Sequence, residues 1–257
     1  MRFLGIDLGW TSGASGLCCL EWSAQCLHLL DLDRKQTTTD ILDWVDKWAS
    51  PTEAAIIAVD APTLIPNATG MRLPDKLTHK HFRQYHAGCY PANLSRPFAQ
   101  RTVEFGLSLE ARGFAHAPTI TPQSLGRYQI EVFPHPAIVH LFGLNRILKY
   151  KKGKLCDRRL ELLKLRQYIL DILPTLEPSL NLSSEHPLAW TGSSLPEIPT
   201  TGAAFKAAED QLDSLICAYV AAHWWYWGTQ RNWVLGDINQ GYIIVPALTC
   251  VESHALP

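Results

Sequence analysis

The clustering of apolar residues predicts six β-strands along the chain. They are residues 2–8, 15–21, 25–30, 55–60, 128–133 and 242–245. Several are apolar at almost every position, which is typical of strands that are buried on both faces of a sheet. The first three follow one another through short turns, as in an antiparallel meander. Pro62, Pro134 and Pro246 end the later three, because proline cannot continue a hydrogen-bonded strand.

Apolar residues spaced three and four apart predict helices between these strands. They cover about 39–48, 76–85, 97–112, 135–142, 157–173 and 202–228. The first helix leads into the strand that ends at Asp60, so this strand is expected to run parallel to the first strand. The pattern predicts one α/β domain over residues 1–257. A long polar insertion at about 61–96 and an irregular loop at about 174–200 interrupt it.

Three carboxylates lie in the apolar strands, where a charge needs a partner. Asp7 is inside the first strand, Asp60 ends the fourth, and Glu131 lies in the fifth. A charge is costly in a buried strand unless something pairs with it, and ligands of open sheets collect at the carboxyl ends of strands. For each acid alone, the simpler interpretation is a strand-end residue that caps a turn. The shared placement favours a common site.

The last helix opens with three more carboxylates, Glu209, Asp210 and Asp213. Residues three and four apart are neighbours on a helix, so Asp213 stands beside both other acids. Like charges this close, at the start of an apolar segment, repel one another unless a cation offsets them, and a divalent metal ion is the simplest cation. The alternative is capping alone, since acids are favoured in the first turn of a helix.

The composition limits where the protein acts and what it contacts. The chain has 257 residues, 47% of them hydrophobic and 18% charged, with a formal net charge of -1. These values argue against a broadly basic nucleic-acid binder, so any basic surface must be local.

Seven cysteines without a CxxC spacing favour reduced thiols and a cytoplasmic location. The longest apolar run, 215–227, is too short to cross a membrane, and its aromatic end, 224–227, favours a core or homodimer contact.

Six short motifs together resemble a known family. They are Gly5-Ile6-Asp7-Leu8-Gly9-Trp10, Val59-Asp60-Ala61-Pro62, Glu131-Val132-Phe133-Pro134-His135-Pro136, Tyr150-Lys151, Glu209-Asp210-Gln211-Leu212-Asp213-Ser214-Leu215 and Gly241-Tyr242-Ile243-Ile244-Val245-Pro246. Through them the sequence resembles, over nearly its whole length, domain-of-unknown-function family 429, a bacterial and archaeal family described as predicted RNase H-like nucleases. The resemblance implies an RNase H-like fold with a mixed five-stranded sheet flanked by helices. The spacing of Asp210 and Asp213 is also similar to that in Holliday-junction resolvases of the same superfamily.

The resemblance implies hydrolysis of phosphodiester bonds by a two-metal mechanism. Two Mg²⁺ or Mn²⁺ ions about 3.5 to 4 Å apart activate water and stabilise the leaving oxygen in such sites, and carboxylate oxygens suit these ions. Asp7 is the expected bridging ligand because it lies centrally in the sheet, and Asp60 with Asp210 or Asp213 would complete the metal ligands. Glu131 is expected at the rim of this catalytic cluster or as the partner of a basic side chain.

A basic segment supplies candidate contacts to a nucleic-acid backbone. Its members are Lys149, Lys151, Lys152, Lys154 and Arg158. Positive side chains neutralise phosphates, so the segment favours DNA or RNA as the substrate, with Lys149, Lys151 and Arg158 as the main substrate-binding candidates. The alternative is a solvated basic loop.

Two functions from other classes stay open. Residues 5–11 resemble the first phosphate loop of sugar kinases and actin-like ATPases, but the sequence has no second Gly-rich phosphate hairpin and no late Gly-Gly segment for adenosine. The third interpretation is a non-catalytic RNase H-like module that binds nucleic acid or protein. The presence of all the acids argues against it.

Overall fold

Seven strands form one mixed sheet in the computed structural model, which describes residues 1–182 and 195–248. In chain order they are β1 (Arg2–Asp7), β2 (Ser15–Ser23), β3 (Cys26–Lys35), β4 (Ala55–Val59), β5 (Ala115–His116), β6 (Arg127–Glu131) and β7 (Leu180–Asn181). Their spatial order is β5-β6-β4-β1-β2-β3-β7. The meander β1-β2-β3 is antiparallel, and the other neighbouring pairs are parallel. The carboxyl ends of β1, β4 and β6 therefore meet at one edge of the sheet.

Helices cover both faces of this sheet. They are α1 (Thr38–Trp48), α2 (Leu73–Phe82), α3 (Ala99–Glu110), α4 (Pro134–Leu141), α5 (Leu155–Asp171) and α6 (Gly202–Trp227). Alternate residues of a strand face opposite sides, so Phe3 packs in the core with α4, α5 and α6, whereas Leu4 and Ile6 pack with α1 and α3. In the described part of the chain, no helix has the length and apolar character needed to cross a lipid bilayer.

The α/β architecture and the antiparallel meander are confirmed, but the main sheet has seven strands and not the five that the resemblance implies. β5 and β7 have two residues each, which is too short for an alternating pattern. A separate hairpin joins β8 (Asn232–Asp237), whose side chains are mostly only partly buried, to β9 (Gly241–Pro246). The predicted strand 242–245 therefore pairs with β8, and a β-bridge between Ile244 and Val132, the residue after β6, connects it to the main sheet.

The six predicted helices are present, with boundaries that differ by a few residues. α2 begins at Leu73 and not at residue 76, because Pro74 is compatible with the first turn of a helix. The irregular loop predicted at 174–200 contains β7, and its residues 183–194 lie outside the described part. Trp224 and Trp225 are buried, in agreement with the predicted core contact, whereas a homodimer stays a prediction.

Two glycines let the backbone of α6 lie directly on the sheet. A Cβ atom built at Gly5 would be 1.9 Å from the carbonyl oxygen of Ser214, and one at Gly16 would be 1.9 Å from that of Asp210. Gly16 is also the residue opposite Asp7 in the β1-β2 pair. The helix therefore approaches the sheet most closely beside Asp7, which brings the carboxylates of α6 to the first strand.

We predict that Gly16→Ala destabilises the protein by about 1–3 kcal/mol or more, because the added methyl group forces α6 away from β2. Gly202→Ala is the matched control: a Cβ atom at Gly202 meets nothing within 4 Å, and alanine favours a helix over glycine by up to about 1 kcal/mol. Urea unfolding of both variants measures the difference. Equal stability of the two variants would show that the close approach is not required.

Candidate functional site

A cleft of about 440 Å³ opens at the sheet edge where β1 and β4 end. Acidic and basic side chains line it together: Asp7, Asp60, Asp210, Lys151, Lys152 and Lys206. One wall is the loop after β1, which is so tight that a Cβ atom at Gly9 would be 2.0 Å from the carbonyl oxygen of Gly13. Trp10 of this loop donates its indole N–H to the backbone oxygen of Asp60 at 3.0 Å. This bond holds the loop against the end of β4.

Asp7 and Asp60 point into the cleft from neighbouring parallel strands. Strand alternation places Asp7 on the same face as Phe3, and Asp60 on the same face as Ala58, which is the face covered by α6. Their exposed fractions are 9% and 8%, and within the described residues neither carboxylate group has a hydrogen bond or an ion pair. Burial raises the pKa of Asp7 well above its ordinary value and raises the pKa of Asp60 to about 7. The positive charge of Lys151 acts to lower both pKa values but is the weaker effect. Both acids therefore lack a direct cationic partner.

Asp213 of α6 is fully buried and lies beside Lys151, which lines the cleft. Its Oδ1 atom accepts a hydrogen bond from the hydroxyl of Tyr150 at 2.7 Å, and its Oδ2 atom lies 2.7 Å from the Nζ atom of Lys151. Desolvation acts to lower the pKa of Lys151, but the negative charges of Asp213, Asp7 and Asp60 outweigh it and raise this pKa. The ammonium group thus contacts Asp213, and the charges of Asp7 and Asp60 also stabilise its protonated form.

The other two acids of α6 are already neutralised by basic side chains. Asp210 contacts the Nε atom of Arg34 at 2.9 Å and the Nζ atom of Lys206 at 2.6 Å. Glu209 contacts Lys206 at 2.7 Å and Arg158 at 3.1 Å. Of the two, Asp210 lines the cleft. Its carboxylate is available to a ligand only in competition with these cations.

Glu131 is separated from the cleft acids by strand alternation. It is level with Val59 in the β4-β6 pair, one residue before Asp60, so its side chain points to the opposite face of the sheet. There Arg72 donates two hydrogen bonds to its carboxylate, at 2.8 and 2.7 Å, and also contacts Asp75 at 3.0 Å. The geometry corresponds to the expectation that Glu131 is the partner of a basic side chain.

The predicted substrate-binding residues fall into different environments. Arg158 is engaged inside the fold, because its Nε atom donates to the backbone oxygen of Tyr150 at 2.7 Å and its guanidinium lies 4.8 Å from the ring centre of Phe205. Lys151 is paired with Asp213. Lys149 lines a second groove outside the cleft. Lys149 therefore remains on a surface that a polyanion can reach.

Some residues of the site are not among the candidates that the sequence predicts. Arg34 and Asp210 are 176 residues apart along the chain, and nothing near Arg34 indicates their contact. His135 lines the cleft, its Nδ1 atom is buried without a hydrogen bond in the described structure, and burial lowers its pKa to about 4. Its ring is therefore neutral. His135 and Tyr150 belong to the motifs of the family resemblance, which is the only sequence signal for either.

A family model described as "Protein of unknown function (DUF429)" matches residues 5–234. The chain belongs to the DUF429 family. No curated protein matches it. The matched range contains the end of β1 with Asp7, all of β4 with Asp60, and all of α6, so the acids of the cleft lie within the matched part of this DUF429 protein.

The cleft of the DUF429 chain offers suitable donors for a divalent metal ion. Carboxylate oxygens are the ligands that Mg²⁺ and Mn²⁺ prefer, and Asp7 and Asp60 are buried acids without a basic partner of their own. Within residues 1–182 and 195–248, however, no three side chains of His, Cys, Asp or Glu are placed to hold one ion together. Asp213, the acid that would complete the set, instead lies 2.7 Å from the Nζ atom of Lys151 through its Oδ2 atom. The donor chemistry fits, provided that Lys151 moves.

We predict that Arg72→Met destabilises this DUF429 protein by about 3–5 kcal/mol, because it leaves Glu131 and Asp75 buried without their cation. The double variant Arg72→Met/Glu131→Gln should recover part of the loss, since the second substitution removes one of the two uncompensated charges. Urea unfolding at neutral pH measures both. A single variant no less stable than the double variant would contradict the assignment of Glu131 to Arg72.

Proposed function

We propose that this DUF429 protein is a metal-dependent nuclease with an RNase H-like fold, which hydrolyses phosphodiester bonds at the cleft. The observation that carries the proposal is the pair of carboxylates Asp7 and Asp60. They end neighbouring parallel strands, lack basic partners in the described structure, and face the helix that carries Asp210 and Asp213. The antiparallel meander, the following parallel strands and the late carboxylate helix support the RNase H-like assignment.

In this proposal Asp7 and Asp60 hold Mg²⁺ or Mn²⁺ together with Asp213 or Asp210. When bound, the metal supplies a Lewis acid for the scissile phosphate and lowers the pKa of a bound water. The chain's own side chains keep the ligands in place: the hydroxyl of Tyr150 fixes Asp213, and Arg34 fixes Asp210. Preorganised charges of this kind need no rearrangement during the reaction, which is why they contribute strongly to catalysis.

A basic groove beside the cleft supports a polyanionic substrate over a small phosphoester. The groove has a volume of about 610 Å³ and shares Lys152 with the cleft. Its charged lining residues are Arg146, Lys149, Lys152, Lys164, Asp157 and Glu161. Glu161 is engaged by Lys164 at 2.5 Å and by the backbone N–H of Lys149 at 3.1 Å, so positive charge prevails. A nucleic-acid strand bound at the cleft would continue over Lys152 into this groove.

We predict that Asp7→Asn reduces cleavage of labelled DNA or RNA by a factor of at least about 100, because it removes a charged metal ligand while nearly preserving shape. In the metal chelator EDTA the variant should be at least as stable as the wild type, since burial disfavours the charge that it removes. Gel assays with Mn²⁺ and thermal melts in EDTA measure these effects. Equal cleavage by both purified proteins would place any activity elsewhere and favour a non-catalytic binding module.

We predict that Lys149→Ala weakens binding of a single-stranded oligonucleotide and lowers the slope of log affinity against log salt by about 0.7 for each lost phosphate contact. Lys47→Ala is the matched control, because Lys47 is an exposed lysine on α1, on the opposite face of the sheet. Fluorescence anisotropy at several salt concentrations in EDTA separates binding from cleavage. The same slope for both variants would show that the groove does not contact the strand.

A further inference from the structure

We infer that the ammonium group of Lys151 occupies the place of a divalent cation among the cleft carboxylates, and that it must leave Asp213 before a metal ion binds there. Lys151 is thereby a positioning residue that sets the metal affinity of the site. This inference rests on the proposed function and adds to it a control over metal entry.

The contacts of Asp213 carry the first step of the argument. Asp213 is fully buried, and within the described residues its carboxylate contacts the hydroxyl of Tyr150, which is neutral, and the ammonium of Lys151, which is charged. Lys151 is therefore the direct counter-ion of this acid. It also acts electrostatically on Asp7 and Asp60. The charge of Lys151 thus acts on all three of the carboxylates that a metal ion would use.

Competition between the two cations follows from these contacts. A metal ion bound to Asp213, Asp7 and Asp60 brings two positive charges close to Lys151, and like charges at such a distance repel strongly. In addition, the Oδ2 atom of Asp213 cannot be a free metal ligand while it lies 2.7 Å from Nζ.

The local structure allows Lys151 to move while its backbone stays fixed. Its side chain is 31% exposed and lines the open cleft, and a lysine stem is long and flexible. The preceding residue, Tyr150, is fully buried and anchors the backbone. Lys152 is exposed and lines both the cleft and the basic groove. A displaced Lys151 would thus enter the cleft beside Lys152, where a substrate phosphate would meet it.

This arrangement makes metal binding and phosphate binding cooperative. The metal frees Lys151 to contact a phosphate, and a phosphate that binds Lys151 frees Asp213 for the metal. By linkage, each ligand must raise the affinity for the other by the same factor. If Lys151 only neutralises Asp213 and never moves, metal binding and phosphate binding are not coupled through this residue.

The experiment compares Mn²⁺ binding to the full-length wild type, Lys151→Gln and Lys47→Gln by isothermal titration calorimetry, with Mn²⁺ alone as the probe. We expect Lys151→Gln to bind Mn²⁺ about tenfold more tightly or better, because no internal cation competes. The control Lys47→Gln removes the same charge on the opposite face of the sheet and should match the wild type. Without metal, Lys151→Gln should melt at a lower temperature than the wild type, and Mn²⁺ should raise its melting temperature more.

The outcomes separate the inference from the proposed function. If the wild type binds Mn²⁺ and Lys151→Gln binds it no more tightly, the inference is overturned while the metal-dependent nuclease survives. If neither protein binds Mn²⁺, both are overturned. If Lys151→Gln is unfolded in EDTA, its far-ultraviolet circular dichroism spectrum is measured again after addition of Mn²⁺. Recovery of the native spectrum supports the inference that the metal ion takes the place of Lys151, and no recovery overturns it.

Discussion

The close contact between the backbone of α6 and the strands β1 and β2 is the constraint on which the site depends. It is possible only because Gly5 and Gly16 have no side chain where the carbonyl oxygens of Ser214 and Asp210 approach. A side chain at either position would collide with the backbone of α6. The helix would then have to move away from the sheet, and its carboxylates would move away from Asp7. The same contact buries the apolar face of α6, so packing of the core and assembly of the cleft arise from one interaction.

Charge balance is the second constraint, and it is distributed unevenly. Basic side chains from several parts of the chain neutralise Asp210, Glu209 and Glu131. Asp7 and Asp60 receive the more distant charge of Lys151, Asp60 also that of Lys206, and burial raises the pKa of both acids. Uncompensated buried acids are unfavourable for folding, and sites for catalysis and ligand binding commonly carry this kind of local instability. Asp7 and Asp60 are therefore the acids that a bound cation would stabilise, whereas the other three already have basic partners.

The contrast between Asp60 and Glu131 shows how a single residue position decides a role. Both acids lie at the carboxyl ends of neighbouring parallel strands, and both are buried. Because side chains alternate along a strand, a shift of one residue sends Asp60 to the face of α6 and Glu131 to the opposite face, where Arg72 binds it. The position of an acid at a strand end is therefore insufficient to assign it to a cluster. The register of its strand relative to the neighbouring strand must also be known, because the register decides which face of the sheet the acid points to.

The sequence by itself determined the central strands, the six helices and the placement of acids at strand ends, because burial and periodicity are local properties that the order of residues records. It did not determine the edge strands β5 and β7, which are too short to have a period. Only the tertiary structure decided which cation each acid meets. The pairs Arg34–Asp210 and Lys151–Asp213 join distant segments, and local patterns carry no information about such pairs. Their formation depends on how closely α6 approaches the sheet, and that distance is set by packing of the whole core around two glycines.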